Sequence, residues 1–301
     1  MASGGPLDVD RLLLLLEVAR RGTIASAARS LGLTPSAVSQ QLAVLEREAG
    51  CPLLDRSPRG VALTGAGHAL AERAATIVDV LAAARADLDR MAGSVSGPVA
   101  VAAVASAAAT LVSDGVAKLR SEQPGVEVSV VVAEPAAALE RLLADDVDLA
   151  VVDEYDYVPL ALPDYLDVHE LSAEELVVVG GPGTLPKRVT LGSLADAAWV
   201  MPPDAAACGH AVRSACRAEG FEPHVRWETD DMLLLVRAVA AGHGVSVLPR
   251  LAVFADVADV DVRPLRSPAL HRRIVAVTRS RAAARPVVQA VLNAIDAGRH
   301  D

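Results

Sequence analysis

The sequence predicts an α/β protein in which a helical N-terminal region is joined by one long helix to a larger region of alternating strands and helices. Three observations support this prediction. Apolar residues in the first 65 positions recur at helical spacing between Gly and Pro breaks. Residues 66–93 continue as a single helical pattern, and from residue 98 short apolar runs alternate with amphipathic stretches. With 301 residues, the chain has the length of about two domains.

The composition favours a folded protein whose cores are built from Ala, Val and Leu. Apolar residues make up 52% of the chain and charged residues 22%, which argues against wholesale disorder, and aromatic residues are only 2%. No apolar run near the N-terminus approaches the roughly 20 residues of a membrane span, and no secretory signal pattern is visible. Three cysteines do not make a disulfide framework. We therefore expect a reduced, soluble, cytoplasmic protein without membrane contact.

The formal net charge of −10 is unevenly distributed. Residues 1–65 contain seven arginines and six acidic residues, whereas residues 96–301 carry the whole acidic excess. This asymmetry, together with the small residues and chain breakers at positions 94–98, predicts a domain boundary there. The acidic balance argues against a generic polyanion binder, but it does not describe a local patch.

The N-terminal region is predicted to contain three helices, over residues 9–20, 24–31 and 35–49. Thr23 and Thr34 are suitable N-caps for the second and third helices, and the third has proline at its first position. A short helix, a tight turn and a helix with polar residues at its leading end form a helix-turn-helix. An ordinary three-helix bundle with solvated polar ends is the alternative.

The leading end of the third helix and the segment after it are predicted to contact DNA. Uncharged polar side chains can donate to and accept from base edges in the major groove. Two short strands around a Pro-Arg-Gly tip then predict a wing whose arginines reach the DNA backbone or the minor groove. The predicted DNA-binding residues are Thr34, Pro35, Ser36, Ser39, Gln40, Gln41, Arg56 and Arg59.

The specific string in this region resembles a known family. It runs AARSLGLTPSAVSQQL from Ala27 to Leu42, followed by Leu45-Glu46, Leu53-Leu54-Asp55-Arg56 and Leu63-Thr64-Gly65-Ala66-Gly67. Type, order and spacing resemble the LysR-type transcriptional regulators. Many members have Arg at position 40 and Phe at position 54, where this chain has Gln40 and Leu54, so a different operator preference is expected. The resemblance implies a winged helix-turn-helix over residues 1–65 and a regulator that is neither an enzyme nor dependent on a cofactor.

Residues 66–93 are predicted to form one long helix with Thr64 as its N-cap. Seven residues recur along it at steps of four and three, a heptad seam that suits a partner helix. They are Leu70, Ala74, Ile77, Leu81, Ala84, Leu88 and Met91. The alternative is an amphipathic helix folded onto its own domain. The resembled family has a dimerising linker helix here, which implies a homodimer or homotetramer.

Strand and helix patterns over residues 98–297 predict a mostly parallel, doubly wound sheet. The family's effector domain resembles type 2 periplasmic binding proteins, in which two α/β lobes joined by two crossover strands enclose a ligand cleft. Applied to this chain, the resemblance puts lobe I at about residues 98–168 and 271–297, and lobe II at about residues 171–267.

In such sheets a ligand lies at the carboxyl ends of the strands, near helix N-termini. The residues predicted to bind a small-molecule effector there are Val104, Ala105, Ser106, Glu134, Asp153, Tyr155, Pro202, Thr229 and His243. Helix N-termini favour anions, but the acidic residues Glu134, Asp153 and Asp230 oppose them, so the charge of the effector stays open.

Cys208 and Cys216 form an alternative site, eight residues apart on one predicted helix with His210 between them. Peroxide-sensing LysR regulators carry a cysteine pair in this region, so a redox-sensing regulator is one alternative. A formed helix would put the two cysteines about 12 Å apart, too far for the ~7 Å that a disulfide requires between Cα atoms. The spacing of the three residues fits no common zinc pattern, and no phosphate loop, nucleophile elbow or zincin string appears.

The sequence therefore predicts a LysR-type regulator that binds a pseudo-palindromic promoter site in double-stranded DNA. Its oligomer geometry is expected to respond to a small-molecule effector, and no catalytic residue or metal site is predicted. A solute-binding protein with an N-terminal extension is an alternative, which the missing signal sequence disfavours. An α/β enzyme is another, for which no catalytic constellation is visible.

Overall fold

The structure is a computed structural model, and it describes residues 6–57, 60–91, 95–163, 165–253, 259–283 and 285–297. The chain divides into two compact units, Met1–Gly93 and Ser94–Asp301. The first unit is mainly helical, and the second is built on β-sheets.

The first unit begins with three helices, whose starts agree with the predicted caps. These are α1 (Val9–Arg21), α2 (Ile24–Ser30) and α3 (Pro35–Ala49). The Thr23 hydroxyl accepts a hydrogen bond from the Ser26 N–H, and the Thr34 hydroxyl accepts one from the Ala37 N–H. Both bonds satisfy N–H groups that have no partner within the helix.

A wing and a long helix follow, as the sequence predicts. The antiparallel strands β1 (Leu54–Ser57) and β2 (Gly60–Leu63) pair with each other, and the tip between them lies outside the described residues. The Glu46 carboxylate on α3 accepts hydrogen bonds from the N–H groups of Leu53 and Leu54, at 2.9 and 3.0 Å, which fastens the wing to that helix. Helix α4 spans Gly65–Met91, and the Thr64 hydroxyl accepts from the Gly67 N–H at 3.0 Å.

The second unit combines the remaining strands and helices of the described chain. Its strands are β3 (Gly97–Ala103), β4 (Val126–Val132), β5 (Leu149–Tyr155), β6 (Leu166–Gly180), β7 (Ala198–Met201), β8 (His224–Glu228), β9 (Ser246–Pro249), β10 (Asp261–Pro264) and β11 (His271–Arg279). Its α-helices are α5 (Ala105–Ala107), α6 (Ser113–Glu122), α7 (Pro135–Leu143), α8 (Ala207–Ala218), α9 (Met232–Ala240), α10 (Ser280–Ala283) and α11 (Pro286–Ala297). Short 3-10 turns lie at Gly192–Leu194 and Arg250–Ala252.

The large sheet of the described residues has the strand order β10-β6-β11-β5-β3-β4, and β9 also pairs with β6. Strand β3 runs parallel to β4 and β5, but every pairing of β6 and β11 is antiparallel. The prediction of a mostly parallel sheet is therefore wrong. Strand β6 explains the difference, because residues 166–175 pair with β11 whereas residues 176–180 pair with β9 and β10. It runs without interruption from one lobe into the other, whereas the sequence predicts a strand only over the apolar residues 176–179.

Helices cover both faces of the lobe I sheet, as alternation along its strands requires. Val99, Val101 and Ala103 of β3 contribute to one core cluster with α6 and α11, whereas Ala102 contributes to a cluster on the opposite face with α7. Lobe II has its own core around the fully buried Trp199.

The sequence predicts continuous helices over residues 106–120 and 282–297, and both are interrupted in the structure. The segment after β3 passes from α5 through a π-helix, Ala108–Val112, into α6. At the C-terminal end, α10 stops at Ala283 and α11 starts at Pro286, because proline is favoured in the first turn of a helix and breaks a helix interior.

Candidate functional site

A cleft between the two lobes brings together residues from distant parts of the second unit. Its inner cavity, of about 30 Å³, has room for about one water molecule. Its outer cavity, of about 460 Å³, has the size of a small-molecule site and shares Ala105, Glu134, Asp230 and Met232 with the inner one. We call the two cavities together the cleft. Six residues predicted for effector binding line its inner part: Val104, Ala105, Ser106, Glu134, Asp153 and Tyr155.

The floor of the cleft is a buried polar network centred on Arg272, which lies on β11 and is 1% exposed. Its Nη1 donates to the Ser106 hydroxyl at 2.7 Å and to Oδ2 of Asp153 at 3.1 Å. Its Nε donates to Oε1 of Glu174 at 2.9 Å, and its Nη2 donates to the same oxygen. Four of the five donors of a guanidinium are therefore engaged, and two carboxylates share one positive charge.

Tyr155 and Asp153 complete this network. The Tyr155 hydroxyl donates to Oδ2 of Asp153 at 2.8 Å. Burial raises the pKa of the Asp153 carboxyl, although Arg272 and the Tyr155 hydrogen bond oppose that rise. Burial also raises the pKa of Tyr155 well above its ordinary value, so the phenol stays protonated and acts as a donor.

Glu134 links the two lobes across the cleft. It is the N-cap of α7 in lobe I, and its Oε2 accepts a hydrogen bond from the N–H of Ala207, in the first turn of α8 in lobe II, at 3.3 Å. Burial raises the pKa of the Glu134 carboxyl, and the nearby charges of Asp153 and Asp230 raise it further. The first turn of a helix attracts negative charge, which accounts for the carboxylate at this position.

Three residues predicted for effector binding, Pro202, Thr229 and His243, line neither cavity. The Pro202 carbonyl accepts from the Arg213 guanidinium, and the Thr229 hydroxyl accepts from the N–H of Asp231 at 3.1 Å. The His243 ring stacks on Trp227 with 4.7 Å between ring centroids. These groups are occupied by local contacts that strand-end position alone does not reveal.

Sequence reasoning missed the residues that hold the cleft together. Arg272 comes from β11, its partner Glu174 from β6, and Met232 from the start of α9. Residues 272 and 274 of β11 are buried and 271 and 273 are exposed, but residues 275–278 are all buried. The apolar run after Arg273 therefore gives no sequence signal that separates Arg272 from Arg273.

On the first unit, the polar residues at the start of α3 are mostly exposed, as DNA contact requires. Thr34, Pro35, Ser36, Gln40 and Gln41 are exposed, and Ser39 is half-buried. Oε1 of Gln41 accepts from the Arg11 guanidinium at 3.3 Å. The Arg56 side chain and the whole of Arg59 lie outside the described residues.

The predicted seam of α4 divides into two parts. Leu70 and Ala74 pack against the core of their own unit, and Ala74 is fully buried there. At these two positions the helix packs onto its own domain, as the alternative interpretation of the pattern predicts. Ile77, Leu81, Ala84 and Leu88 are exposed, and the Met91 side chain lies outside the described part.

The cysteine pair is not arranged for redox chemistry. Cys208 and Cys216 are buried on a formed α8, and burial raises the pKa of each thiol to about 12. A thiol with that pKa is protonated at neutral pH and is a poor nucleophile. Within the described ranges, no group of three or more His, Cys, Asp or Glu side chains could hold a metal ion. None of the described helices has the length and apolar character needed to cross a membrane.

Two family models match the chain. The model described as bacterial regulatory helix-turn-helix protein, lysR family, matches residues 9–68, and the model described as LysR substrate binding domain matches residues 92–299. The small neutral protease regulatory protein of Streptomyces coelicolor is 30% identical over 272 residues, which cover 89% of this chain and 85% of that protein. The nitrogen assimilation regulatory protein nac of Klebsiella aerogenes is 29% identical over 247 residues, which cover 82% and 79%.

Solved structures show the same fold. Full-length OxyR from Pseudomonas aeruginosa gives a TM-score of 0.67 at 20% identity, and the match covers 96% of this chain and 95% of that one. Full-length CbnR complexed with its target DNA gives a TM-score of 0.55 at 20% identity, covering 97% and 100%.

Proposed function

The chain belongs to the LysR family of bacterial transcriptional regulators, and from this premise we propose that a small molecule bound in the cleft controls how it reads a promoter site. It is a DNA-binding regulator with an effector-binding domain, over about residues 98–297. The relatives named above are regulators, and we propose no enzymatic activity. Its DNA target places its work in the cytoplasm.

The observation that carries the effector proposal is the convergence of both lobes on one cleft. Ser106, Glu134 and Asp153 come from lobe I, whereas Cys208 and Met232 come from lobe II. A molecule that contacts both sets of residues favours one relative arrangement of the lobes. The difference between its affinities for the two arrangements supplies the free energy that shifts the protein from one to the other.

The DNA proposal assigns different tasks to different residues of the winged helix-turn-helix, residues 1–65. Ser36, Ser39 and Gln40 are proposed to read bases. Ser39 and Gln40 have no hydrogen-bond partner among the described residues, so their side chains are free for this contact. Thr34 and Pro35 begin the helix and position it. Arg56 and Arg59 are proposed to contact phosphates, which carry no sequence information themselves.

Dimerisation is proposed to use the exposed stripe of α4, over residues 66–93. Ile77, Leu81, Ala84 and Leu88 keep the four-three spacing of a heptad seam, and their exposure leaves them free for a second copy. Two linked helix-turn-helix units gain from effective concentration on a pseudo-palindromic site. The assembly is proposed to be a homodimer or homotetramer.

DNA titration of the full chain tests the base-reading assignment. Gln40→Ala should lower affinity for the specific site by about 1–3 kcal/mol and relax sequence preference. Arg59→Ala should instead weaken binding to all sequences alike and flatten the salt dependence. Equal losses on specific and random DNA for Gln40→Ala would show that this residue does not read bases.

A further inference from the structure

We propose that the small molecule taken by the cleft carries a positive charge, as an organic ammonium or guanidinium group next to an apolar body. This inference rests on the proposed effector function and adds the chemical class of the effector. It follows from which charges in the cleft are already compensated by the protein and which are not.

The first positive feature of the cleft, Arg272, is already satisfied. Its guanidinium is held by the carboxylates of Asp153 and Glu174 and by the Ser106 hydroxyl. Arg272 is the one cationic side chain among the described residues that line either cavity. Because two carboxylates face one guanidinium, this network has no excess positive charge to attract an anionic ligand.

The second positive feature is the first turn of α8, where one N–H, that of Ala207, already has a carboxylate of the protein as its acceptor. Helix α8 has 12 residues, and a ligand carboxylate would bind at its N-terminus. Oε2 of Glu134 already accepts the hydrogen bond from the Ala207 N–H there. An anionic effector would have to approach the carboxylates of Glu134, Asp153 and Asp230, which all line the inner cavity. That approach costs free energy, because like charges repel strongly where water is partly excluded.

The uncompensated charge in the cleft is negative. Asp230 lines both cavities, is exposed, and has no hydrogen-bond or ion-pair partner among the described residues. Asp231 lines the outer cavity, and one of its oxygens caps α9 by accepting from the Leu234 N–H at 3.1 Å. Together with Glu134, these residues place three carboxylates in the lining of the outer cavity, and no cationic side chain of the described chain lines it.

The rest of the outer cavity is apolar, which excludes a simple hydrated ion as the best occupant. Val132, Met232 and Leu233 line it beside Ala105 and Ala109. The cavity of about 460 Å³ suits a small organic molecule, and the carboxylates do not form a metal-binding group in the described chain. An organic cation places its charge beside Asp230 and Glu134 and its hydrocarbon part against the apolar wall.

Two libraries of matched carbon skeletons test the inference on the full chain. One contains guanidines and primary amines, among them 1,4-diaminobutane and phenethylamine, and the other contains the compounds with a carboxylate in place of each cationic group, such as adipate and 3-phenylpropionate. Thermal unfolding followed by tryptophan fluorescence reports binding, because a ligand that binds the folded protein raises Tm. We expect stabilising compounds in the cationic library, with an effect that declines as salt concentration rises.

Substitutions then locate the charge contact. Asp230→Asn should weaken the best cationic compound about tenfold, as loss of a charge-assisted contact does. Glu122→Gln is the matched control, because Glu122 is an exposed acidic residue at the end of α6 and lines neither cavity; this variant should bind normally.

The possible failures are distinguishable. Stabilisation by carboxylates that is lost in Met232→Ala would keep the effector function and overturn the positive charge. Cationic compounds whose affinity is the same in Asp230→Asn and Glu122→Gln would overturn it as well. If neither library binds, the inferred positive charge is wrong. If compounds bind but their affinity ignores every cleft substitution, the proposed effector site itself is wrong.

Discussion

Replacing Arg272 by Met should destabilise the second unit far more than the same change at its neighbour Arg273. Both arginines lie on β11 and both pair with two carboxylates. The Arg272 side chain is 1% exposed, whereas the Arg273 side chain is 52% exposed and pairs with Glu154 and Glu170 in solvent. The two variants therefore differ mainly in burial.

The expected loss for Arg272→Met is about 3–5 kcal/mol, the usual cost of leaving a buried charge without its partner. Two carboxylates lose their counter-charge here, and Met retains most of the apolar stem, so the loss reports charge rather than a cavity. Arg273→Met should cost under about 1 kcal/mol, because exposed ion pairs contribute little. Adding Asp153→Asn and Glu174→Gln to Arg272→Met should recover a large part of the loss, since no uncompensated charge then remains.

Urea unfolding followed by tryptophan fluorescence measures this unit selectively, because both tryptophans of the chain, Trp199 and Trp227, lie in it. The Arg272→Met variant should also regain stability as pH falls. Without the guanidinium, the buried Asp153 has a still higher pKa in the folded state, and protonation removes its uncompensated charge. Equal losses for the two arginine variants, or a loss for Arg272→Met that does not change with pH, would refute this reasoning.

Three further expectations concern the other features of the chain. Burial raises the pKa of the Glu134 carboxyl above its ordinary 4.5, so its contribution to stability is full below pH 4.5 and is lost as pH rises through the folded pKa. The urea midpoint of the unaltered protein should therefore fall between about pH 4.5 and 7. Glu134→Gln, which cannot titrate, should reduce this fall and raise stability at pH 7. Leu81→Asp should abolish the dimer, measured by sedimentation, and the preference for paired half-sites, measured by DNA titration. Thr76→Asp should change neither, because Thr76 is exposed and lies beside the stripe and not in it. A Leu81→Asp protein that keeps its preference for paired half-sites would mean that another surface joins the two copies. Cys51 is exposed, so the oxidation test uses a Cys51→Ser variant, in which Cys208 and Cys216 are the remaining cysteines. Mild peroxide should leave its DNA binding and regulation unchanged, since a pKa of about 12 keeps both thiols protonated. A Cys208–Cys216 disulfide with altered DNA binding would contradict this expectation.

The sequence is most informative where local chemistry decides the structure. Thr23, Thr34 and Thr64 were predicted as N-caps from their own side chains, and each one accepts the expected backbone hydrogen bond. The wing strands follow from the Pro-Arg-Gly sequence at positions 58–60. Each helix cap and turn depends on only a few neighbouring residues, so a single sequence is enough to predict it.

Non-local pairing limits the prediction elsewhere. The first half of β6, residues 166–175, is largely polar and gives no strand signal, because it is a strand only through its pairing with β11, about 100 residues later. For the same reason, Ser106 and Asp153 were predicted for the cleft from their own strand ends, whereas the arginine that joins them lies far along the chain. Two adjacent arginines in a strand look alike until the pleat decides which of them points inward.

The continuous β6 strand has a mechanical consequence. Its pairing with β11 ends at Glu175, and its pairing with β9 and β10 begins at the next residues, so no slack loop separates the two ladders. A joint of this kind resists wide opening and permits mainly a change in sheet twist, a small rotation spread over several residues. Residues 177–179 pair with a strand on each side, so their amide hydrogens should exchange slowly and together, as one cooperative element.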